Sequence, residues 1–153
     1  MPPPTSSRSA RFALVAICVA YFMVVLDTTV TNVALPAIGR DLDVEISGLQ
    51  WVAASYALTF ASLLLTGGAL SDRAGAKRAF GGGTLLFTVA SAACSLAPSL
   101  PALAIARAAQ GAGAALAVPA SLAVLQEVFT EPGARARALG VWGGVAGIGA
   151  GAG

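Results

Sequence analysis

Two long apolar runs of the chain are joined by the charged stretch Gly68-Ala69-Leu70-Ser71-Asp72-Arg73-Ala74-Gly75-Ala76-Lys77-Arg78. Seven consecutive residues of this stretch, 72–78, contain four charged side chains, and three of the four are basic. A short charged segment between two apolar runs of membrane-spanning length is typical of a cytoplasmic loop between transmembrane helices. The stretch therefore predicts an integral membrane protein whose second and third helices are joined on the cytoplasmic side.

The composition of the chain supports this class. Of its 153 residues, 57% are hydrophobic and only 10% are charged, whereas soluble domains carry about 25% charged residues. The two cysteines, Cys18 and Cys94, each lie inside an apolar run, and there is no histidine. This pattern favours neither a disulfide framework nor a zinc site, and we expect no metal and no cofactor.

The apolar runs predict four complete transmembrane helices, at residues 12–35, 51–70, 80–97 and 102–125, and a truncated fifth from residue 138. Each complete run has roughly 18–25 residues, enough to cross a hydrocarbon core of about 30 Å. Because the runs are continuously apolar rather than alternating, helices are favoured over barrel strands. We expect an all-α integral membrane protein with a disordered basic tail over residues 1–11 and one transmembrane helical domain over residues 12–153.

The basic residues indicate the orientation of the helices. If the N-terminus is inside, seven basic residues lie on the inner side, and only Arg40 lies in an outer loop. The seven are Arg8, Arg11, Arg73, Lys77, Arg78, Arg135 and Arg137. Inner loops of membrane proteins carry an excess of lysine and arginine. The distribution predicts a multi-pass protein of the cytoplasmic membrane with a cytoplasmic N-terminus.

Two ionisable residues, Asp27 and Arg107, fall inside the predicted spans. Each costs about 2.5–3.5 kcal/mol at the centre of a membrane helix, so such residues are by default functional. Counting from the helix ends places Asp27 roughly 12 Å and Arg107 roughly 8–10 Å below the outer face. They could form a static ion pair, Arg107 could extend to the interface, or both could line a polar cavity with Asn32 and Gln110.

Glycines at small-residue spacing predict close contacts between helices. Gly111 and Gly113 lie in the fourth span, and a larger set lies in the fifth. That set includes Gly140, Gly144, Gly147 and Gly151. The aromatic residues Trp51 and Tyr56, near the start of the second span, are expected at the membrane interface.

Several of these stretches resemble, in the same order, motifs of the major facilitator superfamily. Residues 68–78 resemble its signature loop between helices 2 and 3, with Ala76 where a basic residue is common. Residues 26–36 are similar to the first-helix motif of the fourteen-helix drug/proton antiporter branch. Residues 107–113 resemble the fourth-helix motif whose arginine is associated with proton coupling, and the glycine-rich run from Gly140 resembles the start of the fifth-helix antiporter motif.

The resemblance implies a transporter of two six-helix halves, of which this chain would be an N-terminal fragment. It implies proton-coupled efflux of drugs or other small molecules by alternating access. The expected partners are the lipid bilayer, a small-molecule substrate, protons and the missing C-terminal helices, but no nucleic acid. Proton coupling or substrate binding would fall to Asp27, Arg107, Asn32 and Gln110. A cytoplasmic gating loop would comprise Gly68, Asp72, Arg73, Gly75, Lys77 and Arg78.

Two alternatives stay open at this point. One is a metabolite or sugar carrier of the same superfamily, because the loop motif says little about the substrate. The other is a non-transporting helical membrane protein that assembles through its glycine-rich faces. An enzyme is not expected, since the chain has no histidine, no nucleophile–base pair and no metal-binding cluster.

Overall fold

The computed structural model of the chain describes residues 7–41 and 46–151. These residues form five α-helices and, within those two ranges, no strand. The helices are α1 (Ser7–Asp41), α2 (Ile46–Ala74), α3 (Ala76–Ser95), α4 (Leu100–Val128) and α5 (Pro132–Gly151). The expected all-α class is therefore confirmed.

Three helices in the described part of the chain, α1, α2 and α4, are long and apolar enough to cross a membrane. Helix α3 has 20 residues, which gives a length of about 30 Å. It is less apolar because it contains two basic residues in its first turn and three successive glycines, residues 81–83. The third predicted span thus exists as a helix, and its crossing of the membrane stays a prediction.

The N-terminal boundary differs from the sequence-based expectation. Helix α1 begins at Ser7, so residues 7–11 are helical rather than part of a disordered tail. Residues 1–6 lie outside the described residues. At its other end α1 continues beyond the predicted stop at Pro36 as far as Asp41.

The predicted loop at residues 68–78 is also much shorter than expected. Helix α2 continues to Ala74 and α3 begins at Ala76, so Asp72 and Arg73 belong to the last turn of α2. Gly75 alone separates the two helices, with φ 92°. L-amino acids rarely adopt this backbone region, whereas glycine does so readily. One glycine therefore makes the turn for which the sequence had suggested a longer loop.

Helix α4 lies at the centre of the bundle, and small residues let its neighbours approach closely. A Cβ atom added to Gly111 would lie 2.5 Å from the backbone oxygen of Tyr56 in α2. One added to Gly113 would lie 2.6 Å from the backbone nitrogen of Phe87 in α3. These two glycines therefore lie where a side chain would clash with a neighbouring helix, and Gly67 and Gly83, which the sequence analysis did not select, make similarly close contacts with α4.

The glycines predicted to pack in α5 have a different environment. A Cβ atom at any of Gly140, Gly144, Gly147 or Gly151 would meet nothing within 4 Å. Helix α5 instead contacts α1 through Gly149 and through the stacked rings of Tyr21 and Trp142, whose centroids are 4.2 Å apart. The predicted packing of the four glycines thus has no counterpart among the described residues, because another face of α5 lies against α1.

A side-chain carboxylate stabilises the start of α5. The two carboxylate oxygens of Glu131 accept hydrogen bonds from the backbone N–H groups of Gly133, at 2.9 Å, and Ala134, at 2.6 Å. These bonds favour the ionised form and hold the pKa of Glu131 below its ordinary value. The negative charge also lies at the positive end of the helix dipole.

Candidate functional site

The two charges that the sequence placed inside the membrane meet in the folded chain. Nη1 of Arg107 donates a hydrogen bond to Oδ2 of Asp27 at 2.5 Å. The same Nη1 also donates to Oε1 of Gln110 at 2.8 Å, and Nε2 of Gln110 donates to Oδ1 of Asp27 at 2.7 Å. Asp27, Arg107 and Gln110 therefore form a closed hydrogen-bonded ring, hereafter the polar ring, between α1 and α4.

Helix geometry explains which of the four predicted residues enter the polar ring. Gln110 follows Arg107 by three residues, so both lie on one face of α4. Asn32 follows Asp27 by five residues, which places it about 140° further around α1. Asn32 is exposed and lines the groove described below rather than the polar ring.

The side chains of the polar ring are largely buried. Gln110 is fully buried and Arg107 is 4% exposed, while the side chain of Asp27 retains 17% exposure. Among the described residues, this is the only ion pair between side chains. The carboxylate of Asp27 is thus the more accessible of the two charged groups.

An aromatic side chain from α2 completes the surroundings of Arg107. The guanidinium carbon lies 4.5 Å from the centroid of the Tyr56 ring, in cation–π geometry. Tyr56 is only 6% exposed, so its ring packs inside the bundle. No sequence pattern indicated this contact, because it arises where α2 crosses α4 at Gly111.

A groove of about 520 Å³ opens beside the polar ring. Helices α1, α2 and α4 form its walls, which are mostly apolar and include three aromatic residues, Tyr21, Tyr56 and Phe60. Polar character comes from Thr28, Asn32 and Arg107. Binding sites for small molecules are typically apolar clefts with a few polar groups, so this groove can accept an amphiphilic molecule next to the polar ring.

The residues of the predicted gating loop lie elsewhere, around the junction of α2 and α3. Asp72, Arg73, Lys77 and Arg78 are all exposed, and none of them forms an ion pair within the described part of the chain. No side chain caps the start of α3 at Gly75. Gly68 lies against α4, where an added Cβ would be 3.9 Å from Cβ of Pro119. The charged residues thus remain available to a surface outside this chain.

Residues 7–41 and 46–151 contain no group of three or more histidine, cysteine, aspartate or glutamate side chains that could together bind a metal ion. The chemistry that the polar ring offers is instead that of one carboxylate. Both oxygens of this carboxylate accept hydrogen bonds, one from Arg107 and one from Gln110.

The chain is similar to known proteins over most of its length. The family model described as Major Facilitator Superfamily matches residues 17–153. The chain is 47% identical over 139 residues to a puromycin resistance protein of Streptomyces alboniger, covering 91% of this chain and 28% of that protein.

Two further relatives are similarly close. A multidrug resistance protein of Mycobacterium tuberculosis is 43% identical over 143 residues, covering 94% of this chain and 27% of that protein. A cephamycin export protein of Amycolatopsis lactamdurans is 47% identical over 135 residues, covering 88% of this chain and 28% of that protein. The chain thus spans little more than a quarter of the length of these relatives.

The family match covers most of the chain, and the matched region contains the polar ring, the groove and the junction of α2 and α3. It confirms that the chain is part of a multi-pass membrane protein of a transporter family and not an enzyme. The chain belongs to the major facilitator superfamily.

Proposed function

We propose that the protein containing this chain exports drugs or other small molecules across the cytoplasmic membrane, in exchange for protons and by alternating access. The observation that carries the proposal is the polar ring of Asp27, Arg107 and Gln110 beside an aromatic groove. The groove would hold the exported molecule, and Asp27 would take up and release the proton.

Physical reasoning favours a functional role for the ion pair. Desolvating two charges costs several kcal/mol per ion, and apolar residues of similar volume often give equal or greater stability than a buried pair. A pair retained inside a membrane protein is therefore better explained by function than by stability. The partial exposure of Asp27 supports proton exchange with water.

The relatives support export over the two alternatives. The names of the three proteins described above refer to resistance or export, which favours efflux over a metabolite or sugar carrier. They also count against a non-transporting assembly protein.

Orientation and gating belong to the same proposal. The excess of basic residues at the junction of α2 and α3 supports a cytoplasmic position for this junction and for the N-terminus. Because Asp72, Arg73, Lys77 and Arg78 are exposed, they would contact the C-terminal helices of the same protein when the cytoplasmic side closes. Breaking these contacts would accompany opening as the two halves rock.

Transport measurements on the full-length protein in lipid vesicles test the role of Asp27. The variant Asp27→Asn should insert normally but lose efflux driven by an imposed proton gradient, because the amide cannot be protonated at neutral pH. The matched control Glu127→Gln also removes one carboxylate, but at an exposed position at the end of α4, and should leave efflux unchanged. Normal gradient-driven efflux by Asp27→Asn would refute the proposal.

A further inference from the structure

Arg107 uses only one corner of its guanidinium group in the polar ring. Nη1 donates to both Asp27 and Gln110, and within the described part of the chain it is the only guanidinium nitrogen that donates a hydrogen bond. Nε is enclosed by the protein and has no hydrogen-bond partner there. The edge formed by Nε and Nη2, hereafter the free edge of Arg107, therefore carries N–H donors that await an acceptor. Leaving an enclosed donor unpaired is unfavourable, so a ligand that supplies an acceptor is favoured.

The polar ring itself supplies no acceptor for the free edge. Each carboxylate oxygen of Asp27 already accepts one hydrogen bond. Oε1 of Gln110 accepts from Nη1 of Arg107 and also from the thiol of Cys94, at 3.5 Å. The ring of Tyr56 covers one face of the guanidinium group, with its centroid 4.5 Å from the guanidinium carbon. An acceptor must therefore approach in the plane of the guanidinium group, at the free edge.

The groove between α1, α2 and α4 gives access to this edge. Of the three residues of the polar ring, only Arg107 lines the groove. The groove thus meets the guanidinium group on the side away from Asp27 and Gln110, which is the side of the free edge. Its volume of about 520 Å³ lies within the range of binding sites for drug-sized molecules.

From this geometry we infer that the free edge of Arg107 is the polar subsite of the groove, and that it binds an uncharged acceptor oxygen of an otherwise apolar, aromatic molecule. A carbonyl or sulfonyl oxygen has this chemistry. The inference rests on the proposed function, because it takes the groove as the place where the exported molecule binds. It assigns the substrate class as neutral aryl compounds with an accessible acceptor oxygen, in preference to lipophilic cations.

Charge at the site selects against ionic ligands of either sign. A cation would be repelled by Arg107 and would meet no carboxylate in the described walls of the groove. An anion would bring a second negative charge close to Asp27, which already compensates Arg107, in a region of low dielectric. A neutral acceptor adds no charge, and its hydrogen bond to a charged donor is stronger than one to a neutral donor.

The aromatic walls of the groove favour aryl groups beside the acceptor oxygen. The rings of Tyr56 and Phe60 are nearly parallel, with centroids 6.1 Å apart and an interplanar angle of 2°. Tyr21 supplies a third aromatic ring from α1. Aromatic side chains offer large apolar faces on which flat groups pack well. Because Tyr56 also contacts Arg107, an aryl group packed on this wall lies close to the free edge.

Infrared spectroscopy with benzophenone tests the inference, because this compound has one carbonyl group between two aryl rings. The C=O stretch of the ¹³C-labelled carbonyl is recorded in vesicles with and without the full-length protein. We expect the protein to add a component at lower frequency, caused by the hydrogen bond from Arg107. In Arg107→Lys the compact ammonium pairs with Asp27 and lacks the free edge, so this component should disappear.

Three control variants each remove one other donor that lines the groove: Tyr21→Phe, Tyr56→Phe and Asn32→Leu. Each of them should retain the low-frequency component. Absence of the component in the unmodified protein would overturn the inference. Its loss in one of the controls, together with its retention in Arg107→Lys, would overturn it as well.

Competition between matched compounds makes the test independent of any variant. Irradiated benzophenone bonds covalently to nearby C–H groups, and mass spectrometry of the full-length protein identifies the labelled residues of the groove. The competitors are diphenyl sulfone, diphenylmethane, diphenylmethylammonium and diphenylacetate, compared at equal concentrations in the lipid phase. The sulfone should suppress labelling at a roughly tenfold lower concentration than each of the other three, because it alone is an uncharged acceptor.

The outcomes separate this inference from the proposed function. Equal competition by the sulfone and diphenylmethane, or stronger competition by either ion, would overturn the assigned substrate class. Loss of gradient-driven efflux in Asp27→Asn would then still support proton-coupled export. If benzophenone labels no residue of the groove, the groove is not the binding site, and that part of the proposed function is overturned together with the inference.

Discussion

Substitution of Gly113 by alanine tests the close contact between α3 and α4. A Cβ atom at this position would lie 2.6 Å from the backbone nitrogen of Phe87 and 2.9 Å from the backbone oxygen of Gly83, both in α3. Ordinary van der Waals contact begins at 3.4 Å, so α3 must retreat by about 0.8 Å, and both neighbours are backbone atoms that cannot rotate away. Overpacking of this kind costs typically 1–3 kcal/mol.

The intrinsic helix propensity of alanine offsets part of this cost, because glycine is about 0.8–1.0 kcal/mol less favourable in a helix interior. We expect Gly113→Ala to lower the free energy of unfolding by about 0–2 kcal/mol. The matched control is Gly144→Ala in α5, where the added Cβ meets nothing within 4 Å. It should be neutral or raise the free energy of unfolding by up to about 1 kcal/mol.

Equilibrium unfolding of the chain in mixed micelles with increasing SDS gives both values, followed by helical circular dichroism. In a Trp51→Phe background, the fluorescence of Trp142, which stacks on Tyr21 between α1 and α5, reports whether the α1–α5 contact is preserved in each variant. If the two substitutions change the free energy of unfolding equally, α3 and α4 do not approach each other as closely as described, and the reasoning is refuted.

The remaining predictions concern the ends of helices. Gly75→Ala should lower the free energy of unfolding by about 1–3 kcal/mol in the same assay, because Gly75 has φ 92°; Gly81→Ala, with open space around it, is the control, and equal effects would contradict the reasoning. The pKa of Glu131 is lower in the folded chain than its ordinary value, so its stabilisation of α5 is present above the ordinary pKa and is lost as pH falls through the lowered one. Hydrogen exchange at the Gly133 and Ala134 amides, corrected for intrinsic rates, should then lose protection, and unchanged protection would show that the carboxylate does not cap α5.

Much of the site was predictable because it depends on distances along single helices. The similar depths of Asp27 and Arg107 follow from residue counts and the rise per residue, whereas their ion pair is a finding of the structure. The position of Gln110 follows from its spacing of three residues from Arg107. Asn32 lines the groove together with Arg107 but lies outside the polar ring, because five residues place it about 140° around α1 from Asp27.

The contacts between helices could not be predicted in the same way. Tyr56 lies under Arg107 only because Gly111 lets α2 and α4 approach closely. The glycines of α5 have the same spacing as packing glycines, yet the rotation of α5 leaves them without a described neighbour. Spacing indicates that a helix face can pack closely, but it does not specify which face is used.

The sequence by itself determined the membrane class, the helical architecture and the identity of the two intramembrane charges, because these depend on apolar run length and on composition. Tertiary structure alone decided the closed hydrogen bonds of the polar ring, the thiol of Cys94 beside Gln110 and the groove between α1, α2 and α4. The physical reason is that hydrogen bonds and close packing depend on relative helix rotation and separation to within about 1 Å. Those quantities are determined by side-chain packing across the whole bundle.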